Sequence, residues 1–142
     1  MFVSQLDEIQ RLTKIVEGLA FLAKVDTGQF KLAQEPVRLD DLVRDSFADA
    51  EILAQAAKLK VTLVACEETT VRGDRHRLRQ LLLNLADNAL KYNRPDGEMT
   101  FALTRESSEA ILQISNTGAG IPPEVLPRVF DRLFRGDPAR GR

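Results

Sequence analysis

Two segments in the second half of the chain alternate apolar and polar residues, and this alternation constrains the fold more than any other feature. They read EMTFALTRE (98–106) and EAILQISN (109–116), and only two serines separate them. A period of two is typical of strands that bury one face, and the short connection predicts a β-hairpin. A sheet with one apolar face must be covered, so helices are needed to complete the fold.

Helical patterns surround the predicted hairpin. Apolar spacing predicts helices at 41–59 and 75–92, with Asp40 and Asp74 as their N-caps. A last amphipathic helix is predicted in EVLPRVFDRLFRG, and shorter extended pieces are predicted in VRL, KVTLVAC (60–66) and TTVRG (69–73). This order predicts an α+β fold, a two-layer sandwich in which a mixed, mostly antiparallel sheet packs against three helices.

A separate helical pattern occupies the start of the chain. Within SQLDEIQRLTKIVEGLAFLAKV (4–25), apolar residues recur at spacings of three and four, as in a coiled coil or helical hairpin. The seam consists of Ile9, Leu12, Val16, Leu19 and Ala23, and it is widened by Leu6, Ile15 and Leu22. So wide a stripe is typical of a bundle, because a lone helix would leave it exposed. We therefore expect a long helix before the sandwich that forms a homodimer.

Composition excludes several classes of function. A formal net charge of −1 gives no reason to expect nucleic acid or an anionic membrane as a partner. The single cysteine, Cys66, rules out an internal disulfide and a thiolate metal cluster. No apolar run approaches the roughly 18 residues that span a bilayer. We therefore expect a chain of cytoplasmic character.

The predicted helix at 75–92 carries a polar stripe beside its apolar face. Its expected buried residues are Leu78, Leu81, Leu82, Leu85, Ala89 and Tyr92. Asn84, Asn88 and Lys91 follow one another at spacings of four and three, which places them on one shared face. Each asparagine costs roughly half a kcal/mol relative to alanine inside a helix, so the stripe indicates a function. Carboxamide oxygens suit Mg²⁺, and an ammonium group suits phosphate.

A second motif begins where the hairpin ends. In ISNTGAGIPPEVLPRVFDRLFRG (114–136), the acceptor side chain of Asn116 is followed by Gly118 and Gly120. Glycine permits a positive φ and lets backbone approach a flat ring closely. A lone GxG is usually a turn, but this one comes after an NxxxNxxKY helix, and the combination is specific.

Together these motifs resemble the N box, first glycine box and F box of two-component sensor histidine kinases. The wording SNTGAGIPPEVLPRVFDRLFRGDPAR resembles the heavy-metal-sensor (copper or silver) branch, and LDEIQRLTKIVEGLAFLAKVDTGQFKL resembles the second helix of the dimerisation and phosphotransfer hairpin. The resemblance implies a hairpin helix at 1–30 and an ATP-binding domain of the histidine-kinase, gyrase and Hsp90 type at 31–142. It implies ATP and Mg²⁺ as cofactors.

For the phosphate end of the nucleotide, the resemblance assigns four residues. It implies that Asn88 ligates Mg²⁺ and that Asn84 supports the same metal and the phosphates. It also implies that Lys91 touches phosphate and that Tyr92 lies along the nucleotide.

For the base, the resemblance assigns the glycine motif and the segment after it. Asn116 stands where most of the family has an aspartate that accepts a hydrogen bond from the adenine amino group. Gly118 and Gly120 are expected to shape the adenine wall, and Phe130 and Phe134 to form a hydrophobic platform. Because Asn116 is neutral, its bond to adenine is expected to be about half as strong as a charge-assisted one.

The resemblance also implies further segments on both sides. The family continues into an ATP lid and a second glycine box, and it carries its phosphoaccepting histidine on a preceding helix. Both ends are therefore expected to be cuts in a longer inner-membrane protein that phosphorylates itself and then a response regulator. His76 lacks the acidic neighbour of an acceptor motif, so it is expected to be a surface residue. We expect the chain alone to transfer no phosphate.

Other functions share parts of this pattern. ATPases of the gyrase, Hsp90 and MutL kind place a glutamate general base where this chain has Asn84, and a carboxamide cannot take a proton from water at neutral pH. An anti-sigma-factor serine kinase shares the asparagines but not the leading helix. A scaffold that no longer binds nucleotide well is a third alternative.

Overall fold

The computed structural model describes residues 2–28 and 31–128. In chain order the described elements are α1 (Phe2–Asp26), β1 (Glu35–Arg38), α2 (Leu39–Ala56), β2 (Lys60–Cys66), β3 (Thr70–Gly73), α3 (Arg75–Lys91), β4 (Glu98–Glu106), β5 (Glu109–Asn116) and a 3₁₀ turn at Leu126–Arg128. The α+β sandwich preceded by a long helix is confirmed. The predicted last helix falls partly on this 3₁₀ turn, and the rest of its predicted range, after residue 128, lies outside the described residues.

The main sheet is mixed, as predicted, and has the strand order β2-β4-β5. Strand β2 runs parallel to β4, and β5 runs antiparallel to β4, so that Phe101 lies between Leu63 and Ile114. Strands β1 and β3 form a second, antiparallel pair in which Val37 faces Val71. The hairpin occupies the two ranges that its alternation predicts.

The core lies between the main sheet and the two helices α2 and α3. Met99, Phe101 and Leu103 on β4 are fully buried because alternate residues of a strand point to the same face. They pack with residues of α2, and Phe47 meets Phe101 edge to face at 5.9 Å between ring centroids. Residues on one side of α3 also belong to this core, and the opposite side of the helix is not covered by it.

The buried face of α3 differs from the predicted one. The buried residues are Leu82, Ala86 and Ala89, with Leu78 partly buried. Leu81, Leu85 and Tyr92 are 48%, 39% and 40% exposed, so their assignment to the core was wrong. Leucines lie on several faces of this helix. The small alanines are the residues that let α3 pack closely against its neighbours.

The assignment of Asp40 as an N-cap was also wrong. Helix α2 begins at Leu39, two residues before the predicted start at residue 41, and no side chain caps its first turn. The Asp40 carboxylate is 1% exposed and accepts hydrogen bonds from Arg38, Arg44 and the backbone N–H of Thr69. The Asp74 cap is confirmed, because its carboxylate accepts a hydrogen bond from the Arg77 N–H at 3.1 Å.

Helix α1 stands apart from the sandwich and shows two different faces. On one face, Phe21 lies 4.0 Å from the Arg77 guanidinium, at the start of α3. On the other, Ile9, Leu12 and Val16 are 59%, 48% and 63% exposed. The seam predicted from the sequence therefore points away from the sandwich. Within the described part of the chain, no helix has the length and apolar character needed to cross a membrane.

Candidate functional site

The polar stripe of α3 lies on the side of the helix that the core leaves open. Asn84, Asn88 and Lys91 are all exposed. The two carboxamides form no side-chain hydrogen bond with another described residue, although both lie within α3. Their hydrogen-bonding groups are therefore available to a ligand.

The glycine loop meets the C-terminal end of α3. Gly118 has a φ of +136°, and a Cβ placed on it would lie 2.5 Å from the carbonyl oxygen of Tyr92. Any other residue would force the loop away, because real Cβ atoms do not approach so closely. The asparagine-bearing helix and the glycine motif, which are separate in sequence, thus touch at Tyr92.

A network of hydrogen bonds, here called the junction network, holds this contact. It consists of Asn93, Glu98 and Thr117, with Gly97 packed against it. The Thr117 hydroxyl donates to Asn93 Oδ1 at 2.6 Å and accepts from the Glu98 N–H at 2.8 Å. Asn93 Nδ2 and the Thr117 N–H both donate to the Glu98 carbonyl, at 2.9 and 3.0 Å. A Cβ on Gly97 would collide with both side-chain oxygens, so only glycine fits there.

Sequence reasoning missed the junction network. The signal was the turn NRPDG (93–97) directly after the asparagine helix, with Thr117 directly after the strand. Turn residues of this kind are ordinarily interpreted as a connection alone. Their pairing across the hairpin becomes visible only once α3 and β5 end side by side.

Asn116 ends β5 next to the junction network. Its side chain is exposed, and its Nδ2 donates to the carbonyl of Thr117 at 2.8 Å. Its Oδ1 receives no hydrogen bond from the rest of the described chain. Asn116 therefore offers one free acceptor beside the Gly118 loop.

The remaining glycine of the motif is less constrained. A Cβ on Gly120 would meet no described atom within 4 Å. Its expected part in the adenine wall stays a prediction. Phe130 and Phe134, the expected platform, lie outside the described residues.

A cavity of about 830 Å³ separates α1 from the open side of α2 and α3. Asn84 and Asp87 line it from α3, and Lys14 and Lys24 line it from α1. His76 also lines it and is exposed, as expected for a surface histidine. The Asn84 end of the polar stripe thus opens toward the first helix.

The donor set is a poor metal site by itself but fits a metal that arrives with phosphate. No cluster of three or more His, Cys, Asp or Glu residues within the described ranges could hold a metal ion. Mg²⁺ commonly keeps several waters and takes only one or two protein oxygens together with substrate phosphates. The free carboxamides of Asn84 and Asn88 fit that arrangement.

Comparison with known proteins agrees with this geometry. The family described as "Histidine kinase-, DNA gyrase B-, and HSP90-like ATPase" matches residues 73–142, which include α3 and the glycine loop. Sensor histidine kinase CusS of Escherichia coli is 38% identical over 141 residues, which are 98% of this chain and 29% of CusS. The chain thus spans less than a third of that relative.

Solved structures show the same architecture. Histidine kinase AdeS of Acinetobacter baumannii is 32% identical with a TM-score of 0.75, over 87% of this chain and 61% of AdeS. Histidine kinase ThkA, solved in complex with the response regulator protein TrrA, has a TM-score of 0.77 at 23% identity, over 91% of this chain and 38% of ThkA. The latter likeness shows the fold alone.

The likeness to CusS fits the heavy-metal-sensor branch that the motif wording resembles. The family match covers the half of the chain that carries all of the candidate site residues. Residues 73–142 belong to the histidine kinase-, DNA gyrase B- and HSP90-like ATPase family, and the chain is similar over nearly its whole length to part of the sensor histidine kinases.

Proposed function

We propose that this chain is the Mg·ATP-binding part, with one hairpin helix, of a kinase that phosphorylates its own histidine and then a response regulator. The observation that carries the proposal is the contact between Gly118 and the Tyr92 carbonyl. This contact joins a helix with free carboxamides to a loop with a free acceptor. A nucleotide needs both, because its phosphates and its base are recognised by different chemistry.

The phosphate end of this proposed site is the polar stripe of α3. Asn88 would ligate Mg²⁺, and Asn84, one turn earlier, would support the same metal and phosphates. Lys91 would neutralise phosphate charge, and Tyr92, 40% exposed, would lie along the nucleotide. Bound Mg²⁺ would offset the charge of the phosphates, and the exposure of all four residues leaves them accessible.

The base end is formed by Asn116, Gly118 and Gly120. The free Oδ1 of Asn116 would accept a hydrogen bond from the adenine amino group. The Gly118 loop would form the wall of the base pocket, since its backbone is held against α3 without intervening side chains.

The full-length kinase to which this chain would belong would also require protein partners. The exposed seam of α1 supports a homodimer through residues 1–30, and residues 31–142 would form the catalytic unit. A response regulator is the proposed phosphate acceptor, as TrrA is the partner of ThkA in a structure with this fold. We place the chain in the cytoplasmic portion of an inner-membrane parent.

The proposal predicts that Gly118→Ala weakens ATP binding far more than Gly120→Ala. At Gly118 the added Cβ would displace the loop from Tyr92, whereas at Gly120 the described chain leaves space for it. Calorimetric titration of ATP with Mg²⁺ should show saturable one-to-one binding to the wild-type chain and at least a tenfold loss in Gly118→Ala. Thermal unfolding measured in parallel separates a displaced loop from an unfolded chain. Absence of ATP binding to the wild-type chain would favour the scaffold alternative instead.

A further inference from the structure

We propose that Thr117 and Asn93 make the site select adenine over guanine, by holding the Asn116 carboxamide in a single orientation. Both are positioning residues that act through Asn116. The inference rests on the proposed function, in which Asn116 meets the base.

The need for such a device comes from the asparagine itself. A carboxylate can only accept hydrogen bonds, but a carboxamide can present either its oxygen or its NH₂ group by turning over. Adenine carries an amino donor at the position where guanine carries a carbonyl acceptor. An Asn116 free to turn would therefore accommodate either base.

The Thr117 carbonyl prevents this rotation. A carbonyl oxygen can only accept, so the carboxamide must point its Nδ2 toward it, and the two atoms lie 2.8 Å apart. The Oδ1 edge is then the one left for the base. Turning the amide over would place two acceptors against each other and lose the hydrogen bond.

The Thr117 carbonyl is held in place by the junction network. The Thr117 N–H donates to the Glu98 carbonyl, and the hydroxyl bridges the Glu98 N–H and Asn93 Oδ1. Asn93 is fixed in turn, because its Nδ2 donates to Glu98 and its Oδ1 also accepts from the Arg94 N–H at 2.9 Å. The Thr117 backbone, whose carbonyl orients Asn116, is therefore held by hydrogen bonds through both its N–H and its side chain.

The test measures the ratio of the dissociation constants for GTP and ATP, each with Mg²⁺, on the full 142-residue chain. Thr117→Val removes the hydroxyl with little change of shape and should lower this ratio about tenfold. Thr117→Ser keeps the hydroxyl and should retain the wild-type ratio. Thr62→Val makes the same substitution at an exposed position of β2 and serves as the matched control.

An Asn116→Asp background makes the test specific. Aspartate cannot donate at neutral pH, so its selectivity does not depend on an orientation lock. Thr117→Val should therefore change the ratio in the Asn116 chain but not in the Asn116→Asp chain. A merely structural role for Thr117 would change both chains alike, and that result would overturn the inference.

The remaining outcomes are also decisive. If Thr117→Val does not fold, Asn93→Ala loosens the same carbonyl from the other side and should show the same loss of selectivity. An unchanged ratio in a folded variant that still binds ATP overturns this inference and leaves the proposed function intact. A wild-type chain that binds neither nucleotide overturns both.

Discussion

Asp40 lies in an environment that its position in the sequence does not predict. It is buried, and it links the start of α2 to the segment before β3 through Arg38, Arg44 and the Thr69 N–H. The hydrogen bond from Arg38 is the main reason that the pKa of Asp40 lies far below its ordinary value of 3.8, although burial opposes it. The charged form is therefore favoured by folding.

Asp40→Asn should lower the free energy of unfolding by about 2 kcal/mol at neutral pH. Breaking a buried ion pair costs roughly 3–5 kcal/mol, and the half-exposed arginines here reduce that figure through solvent screening. Because folding lowers this pKa, the stabilisation is complete above about pH 5, begins to decrease as the pH approaches 3.8, and is lost only as the pH falls through the lowered pKa of the folded state. Urea unfolding of wild type and variant from pH 7 to pH 3 should show two curves whose separation is constant above about pH 5 and narrows toward pH 3 without closing. The exposed Asp45→Asn is the control, and a gap that widens at low pH would contradict this account.

At the scale of elements, the sequence predicted periodic structure well and helix orientation less well. The alternation in β4 and β5 predicted the bounds of both strands to the residue, and in β4 the alternate residues are the fully buried ones. In α3 the leucines are spread around the helix, so periodicity alone could not show that Ala86 faces the core while Leu85 does not. The junction network depends on two element ends meeting in space, which local patterns do not encode.

The exposed seam of α1 predicts self-association. Val16 is 63% exposed and contributes nothing to the core of its own chain, so Val16→Lys should abolish association without lowering the thermal unfolding midpoint. Burying such side chains is worth about 1.5–3 kcal/mol each, enough to drive a concentration-dependent dimer. Gln10→Lys adds the same charge on an exposed position away from the seam and should leave association intact. Sedimentation over a wide concentration range measures both, and a wild-type chain that stays monomeric throughout would contradict the prediction.

At the scale of the whole molecule, the proposed nucleotide site and the proposed dimer seam lie on two different structural units. The sandwich supports α3 and the glycine loop from behind, through the core beneath α3 and the junction network at its end. Helix α1 presents one face to the sandwich and its apolar seam to the outside. The proposed nucleotide site and the proposed dimer seam therefore lie on different surfaces, and substitutions in one are expected to spare the other.

The most direct test of the account is the dependence of ATP affinity on Mg²⁺ in the wild-type chain and in Asn88→Ala. If Asn88 ligates a metal that bridges the phosphates, Mg²⁺ should tighten ATP binding to the wild-type chain about tenfold or more. Asn88→Ala should lose most of this gain while binding metal-free ATP nearly as the wild type does, and Gln55→Ala, on the exposed surface of α2, should behave as the wild type. Calorimetry with and without Mg²⁺ measures the affinity of each chain in both conditions. An equal Mg²⁺ effect in wild type and Asn88→Ala would contradict the assignment of the polar stripe as the metal and phosphate site.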